Sequence, residues 1–213
     1  ELTRFSGPEG ETPLVTFLEG RLREQPVDLV VPVGTAGMQF AARHRDRLFP
    51  MTPVVVLGAD PRMLSPELLR TNATAVAQRL NLPGMVEDIL QLQPQTTNIV
   101  LVFGASAQER YWTEQCRREF QGFTNRVGFT WVNDLPMEQI LKQCAALPPR
   151  SFILHVLFIV DAAGVPCERN EVLRRLHEVA NAPVFGFFTS EFGLGSIGWR
   201  LLQDIEMGAQ AAH

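Results

Sequence analysis

The sequence predicts an α/β protein made of two doubly wound parallel-sheet lobes joined by crossover segments. Three observations predict it. Short apolar runs rich in β-branched and aromatic residues recur at a spacing of about 25–30 residues, the size of a βα unit. Between them lie stretches with apolar residues at helical spacing and charges on the remaining face. A polar segment at 60–77 interrupts this alternation once, after which it restarts. Strands with nearly all-apolar cores belong to parallel sheets covered on both faces.

Glu1–Phe5 reads as the tail of a strand, followed by the turn Ser6-Gly7-Pro8-Glu9-Gly10. The spacing of Leu14, Val15, Phe17, Leu18 and Leu22 predicts a helix over Thr12–Glu24. Thr12 caps it, Pro13 sits in its first turn and Pro26 stops it. Asp28–Val33 is the next strand, and it ends in Gly34-Thr35-Ala36-Gly37. Met38–Leu48 is a helix with Arg43, Arg45 and Arg47 on its wet side. Thr52–Leu57 is a third strand, leaving through Gly58-Ala59-Asp60-Pro61. The polar segment Asp60–Ala77 reads as the crossing between lobes. Helix Leu82–Leu92 follows, then strand 98–103, helix 107–121, strand 127–132, helix 136–146, strand 151–158, helix 168–180 and strand 183–188. TSEFGLGSIG reads as a glycine-rich second crossing, and Trp199–Ala212 as a last helix returning to the first lobe. The expected division is 1–72 plus 199–213 for the first lobe, 73–188 for the second and 189–198 for the crossover.

Composition narrows the function. The 213 residues suffice for two small lobes with cores. A net charge of −4 with no basic run or basic helix face argues against nucleic acid as a partner. No apolar run approaches the roughly 20 residues that span a bilayer. The chain opens on Glu1 without a signal peptide and reads as a piece of something longer. Cys116, Cys144 and Cys167 are odd in number and lack metal-ligand spacing, so they read as isolated thiols and no metal is expected. A Cys116–Cys144 bridge has nothing in the sequence to support it.

The central stretch is TNIVLVFGASAQERY, Thr97–Tyr111: a buried strand, a small-residue turn and a helix. Backbone N–H groups at such a helix start can bind a polar or anionic ligand group. Ser106 can cap the helix. Arg110 and Tyr111 lie about one turn in, and Arg110 could hold a carboxylate through both ends of its guanidinium. Ligands of open α/β sheets sit outside the carboxyl ends of the strands. Those ends supply the candidate ligand-binding residues Gly34, Thr35, Ala36, Asp60, Ala105, Ser106, Arg110, Tyr111, Phe158, Asp161, Thr189 and Glu191. They offer donors and aromatic walls rather than a catalytic set, which favours binding over catalysis and implies no cofactor.

The phrases DLVVPVGTAGMQFAARHRDRLFPMTPVVVLGAD and HVLFIVDAAGVPCERNEVLRRLHEVANAPVFGFFTSEFGLGSIGWRLLQDIEMGAQAA carry a resemblance over nearly the whole chain. They resemble type I periplasmic-binding-protein-like domains, and more narrowly the extracytoplasmic sensor domains of bacterial histidine kinases, relatives of ABC-transporter substrate-binding proteins. The resemblance implies a periplasmic two-lobed domain of an inner-membrane protein. It would close on a small molecule and pass the change to a kinase module of the same polypeptide. Three departures stand out. The family's strand and helix before ELTRF are missing, so the first lobe is expected to lack its first strand and helix. Gly198-Trp199 stands where the family shows a glycine pair, and the tail towards a membrane span is absent.

Other motifs compete. Gly193-x-Gly195-x-x-Gly198 matches a dinucleotide fingerprint, but no acidic ribose partner can follow before the chain stops. These glycines read instead as a hinge. His155 reads as a core or cleft-wall histidine, and His44 and His177 as solvated. Asp60, Asp134, Asp161 and Glu191 are not held as a pair by spacing, so a glycosidase is not favoured. The reading is a ligand-binding input domain, monomeric or homodimeric, for a carboxylate or aromatic compound. Its competitors are a free-standing importer subunit and a nucleotide-dependent enzyme using Gly193–Gly198.

Overall fold

Pro8 opens the first helix of the computed structural model, which describes residues 8–69, 72–188, 191, 193–202 and 209. The chain divides into two compact units, one of Glu1–Leu80 with Gln203–His213 and the other of Asn81–Leu202. The expected strand tail Glu1–Phe5 and the candidate residue Thr189 lie outside the described residues.

The first unit contains α1 (Pro8–Glu24), α2 (Gly34–Leu48), β1 (Val54–Leu57) and β2 (Ala73–Val76). β1 and β2 pair in parallel from Val54↔Ala73 to Leu57↔Val76. Part of the stretch read as a crossing is therefore a sheet strand. The expected strand 28–33 meets β1 only through the bridges Val30↔Val54 and Val33↔Leu57. Pro32 has no N–H to give a ladder, and Leu29, Val31 and Val33 stay 49%, 44% and 67% exposed. Val15, Met38, Phe40, Ala41, Val54, Val56 and Leu68 form the core.

Glu11 is buried and receives Arg43 together with His44, whose Nε2 lies 2.8 Å away. Burial pushes the Glu11 carboxyl up, but the two bases outweigh it and hold the group below the usual carboxylate range. His44 is thus not simply solvated: it is a hydrogen-bond partner of Glu11 whose ring sits 4.7 Å from that of Phe40.

The second unit contains α3 (Leu82–Leu92), β3 (Asn98–Phe103), α4 (Ala107–Glu119), β4 (Gly128–Val132), α5 (Met137–Cys144), β5 (Ser151–Leu157), α6 (Arg169–Val179), β6 (Val184–Phe188) and β7 (Ser196–Leu202). Its sheet is parallel throughout, in the order β4-β3-β5-β6-β7. Val100, Val102, Ile153 and Val184 pack with Ile140, Leu141, Leu173 and Leu176 of α5 and α6. Ile99, Leu101, Phe152, Leu154 and Phe185 alternate to the other face and are equally buried. This two-sided burial is what the apolar runs predicted. The helix expected from Trp199 is corrected: residues 199–202 continue β7, which pairs with β6 through Gly186↔Gly198. An open sheet edge beside β6 outweighs the helical spacing of that segment. The rest of the expected helix falls mainly outside the described residues. Cys116, Cys144 and Cys167 are all free thiols.

Candidate functional site

The strand order places a topological switch point between β3 and β5. From β3 the chain steps outward to β4, then returns past β3 to add β5 on its other side. The carboxyl ends of strands at such a point are where open α/β sheets hold ligands. Here the β3 end leads through Gly104-Ala105-Ser106 into α4, and the β5 end leads through Phe158–Asp161 towards α6.

The two tips are fastened to each other. The Gly104 N–H donates to the Leu157 carbonyl at 3.1 Å and the Ala105 N–H to that of Val160 at 2.7 Å. A Cβ on Gly104 would lie 2.4 Å from the Val160 oxygen and 2.2 Å from Glu109 Oε1, so only glycine fits there. Ser106 caps α4 in a capping box: its hydroxyl receives the Glu109 N–H, and Glu109 Oε2 receives the Ser106 N–H at 2.6 Å. Glu109 Oε1 also receives the Ile159 N–H at 2.5 Å, fifty residues away in sequence. Burial pushes the Glu109 carboxyl above the usual range, against the pull of these N–H donors. The first-turn N–H groups of Ala107 and Gln108 remain without intrahelical acceptors.

Arg110 is exposed and donates to the Ala105 carbonyl, so its guanidinium lies back over the tip. Tyr111 is half-buried, edge-on to Trp112 at 5.5 Å. Phe158 is core rather than wall. Asp161 organises its own loop: Oδ1 accepts from Ala163 and Val165, and Oδ2 from Met137. Glu191 is fully buried, with Oε1 3.4 Å from Nδ1 of the equally buried His155. Gly186 gives it room, since a Cβ there would stand 2.1 Å from Glu191 Oε2.

In the first unit, Thr35 is buried with its hydroxyl 3.7 Å from the Met63 sulfur, and Gly34 begins α2 at φ +68°. Ala36 lines an open groove of about 670 Å³ with Leu22, Leu29, Val31, Phe40 and Phe49. Every side chain lining that groove is apolar, so no polar side chain is placed there to orient a ligand. Asp60 is taken up internally. Its carboxylate accepts from Arg62 Nε, Nη2 and N–H, and from the Leu80 N–H. Burial raises the Asp60 carboxyl, but Arg62 and the two N–H groups outweigh it and hold the group below the usual range.

The glycine loop is resolved differently from the dinucleotide reading. Gly193 and Gly195 adopt φ +82° and +93°, but Gly198 lies inside β7, so the motif runs into a strand where the dinucleotide fingerprint needs a helix start. Among the described residues no cluster of His, Cys, Asp or Glu could hold a metal, and no helix is long and apolar enough to cross a membrane. Sequence reasoning missed Glu109. The Ser-x-x-Glu spacing could have revealed its capping half, but nothing local pointed to Ile159.

No protein-family model matches the chain, and no curated protein matches it. Solved structures do. A conserved domain protein from Vibrio cholerae is similar at 18% identity and a TM-score of 0.61, over 94% of this chain and 66% of that one. The ABC domain from Streptococcus pneumonia in complex with L-Trp gives the same figures. The ligand-free, open form of CD0873, a substrate binding protein with adhesive properties from Clostridium difficile, reaches a TM-score of 0.62 at 11% identity. It is covered to 67%, over 95% of this chain. The likeness is one of fold, the type I periplasmic-binding-protein-like α/β fold, and the chain spans about two thirds of the length of these structures.

Proposed function

We propose that this chain is a small-molecule-binding domain that acts as the extracytoplasmic input of a signalling protein, the resemblance pointing to a histidine kinase. The observation that carries the reading is the β3–β5 switch point, with a capped helix start, Ser106, and the exposed guanidinium of Arg110 beside it. The fold it shares with a substrate binding protein and with a domain solved in complex with L-Trp supports binding rather than catalysis. Ala105, Ser106, Arg110 and Tyr111 are the contacts we assign to ligand. Arg110 suits a carboxylate and Tyr111 an aromatic or branched body, so amino acids and aromatic acids are the class to test first. Signalling follows if the ligand prefers one conformation, because it then shifts the equilibrium by that difference in affinity.

A thermal-shift screen over amino acids, organic acids and aromatic acids tests this. A ligand at a hundred times its dissociation constant adds about 2.7 kcal/mol of stability. Arg110→Ala is expected to remove the shift given by carboxylates and leave the unliganded protein unchanged. A full panel without any shift would remove the reading. A free-standing importer subunit is the second reading, favoured by the substrate binding protein among the similar structures. Membrane-span and kinase segments in the parent gene, or their lack, separate the two.

A further inference from the structure

We propose that Glu109 is a positioning residue for ligand binding, its two carboxylate oxygens holding the tips of β3 and β5 at one fixed spacing. The inference rests on the ligand-binding reading of the switch point.

Helix capping does not account for a buried glutamate here. A glutamine at the third position of a helix closes the same capping box, whereas burying a carboxylate is costly unless it is paired. Glu109 is wholly buried, and among the described residues no cation pairs with it. Its neighbour Arg110 turns instead to the Ala105 carbonyl. What only a carboxylate offers is two acceptors and no donor. Both are used, and on different segments: Oε2 on the Ser106 N–H and Oε1 on the Ile159 N–H. A glutamine must turn an NH2 towards one of those N–H groups. Gly104 is matched to the same task, since any side chain there would displace Oε1. The residue so held, Ser106, begins the helix turn to which the ligand is assigned. Its height relative to Ile159 therefore sets the mouth of the switch point.

Glu109→Gln tests the proposal, read first by amide hydrogen exchange without ligand. The glutamine oxygen stays with Ser106 in the capping box and its NH2 meets Ile159. Exchange at Ile159 is expected to rise about tenfold, the loss of roughly one hydrogen bond. Ser106 and the core amides of Leu101 and Ile153 should hold their rates. An unchanged Ile159, a parallel rise at Leu101 and Ile153, or a variant that fails to fold overturns the proposal, because Glu109 would then be idle or merely structural. Binding is read separately by calorimetric titration of L-tryptophan as probe. An affinity about tenfold weaker in Glu109→Gln supports positioning, and equal affinity overturns it. Lack of L-tryptophan binding by the unsubstituted protein counts against that ligand class, and exchange at Ile159 then decides the proposal by itself.

Discussion

Replacing Gly104 by alanine puts a number on how closely the two strand tips approach. The added Cβ would stand 2.4 Å from the Val160 carbonyl oxygen, where 3.4 Å begins ordinary contact, so that oxygen must retreat by about 1 Å. The Ala105 N–H bond to it, now 2.7 Å, would stretch beyond useful length, and Glu109 Oε1 would be pushed off Ile159. Overpacking of this kind costs about 1–3 kcal/mol, and each lost bond adds about 1 kcal/mol net. Gly104→Ala should therefore lose about 3–5 kcal/mol, a large share of the roughly 5–15 kcal/mol that holds a typical domain together. Urea unfolding followed by fluorescence is the assay, since Trp112 and Trp131 both lie in the affected unit. A loss below about 1 kcal/mol at an unchanged denaturant slope would refute the close approach.

Asp60→Asn should destabilise the first unit by about 1.5–3 kcal/mol at neutral pH, the range for hydrogen bonds to a charged group. The Asp60 carboxyl titrates below its ordinary 3.8, so its contribution is full above that value and lost as pH falls through the lowered one. The gap between variant and parent should accordingly close in acid; a gap that persists at low pH would contradict the Arg62 pairing. Native thiol labelling should modify Cys167 first. Cys116 and Cys144 are buried, and burial pushes the Cys144 thiol up to about 11. Fast reaction of Cys144 in the folded protein would disprove its burial.

The second unit was legible because its strands announce themselves. IVLVF is apolar at every position and FILHVL at all but the buried His155, a pattern that two-sided burial explains. Ser106 was legible as a cap because capping is local. Asp60 and Asp161 were legible as strand-end acids but not in their full roles, since beside near neighbours such as Arg62 and Ala163 their oxygens also take the N–H groups of Leu80 and Met137, 20 and 24 residues away. The segment SIGWRLL carries Ile197, Trp199 and Leu201 at strand period, while the stretch from Trp199 onward also fits a helix, and pairing with β6 makes Ser196–Leu202 a strand. DLVVPV announces a strand too, yet it reaches just two bridges, because ladder formation depends on neighbours that a local pattern does not contain.

The place of β3 in its sheet bears on how the protein is made. Its partners arrive late and from one direction: Gly128–Val132 first, then Ser151–Leu157, while synthesis has long since passed Phe103. A nascent chain with β4 emerged from the ribosome and β5 still inside it would carry an apolar ribbon zipped along one border and bare along the other, the kind of surface that invites aggregation. Such long-range pairings slow folding, so the second unit should mature only after β5 emerges and Ile159 can reach Glu109.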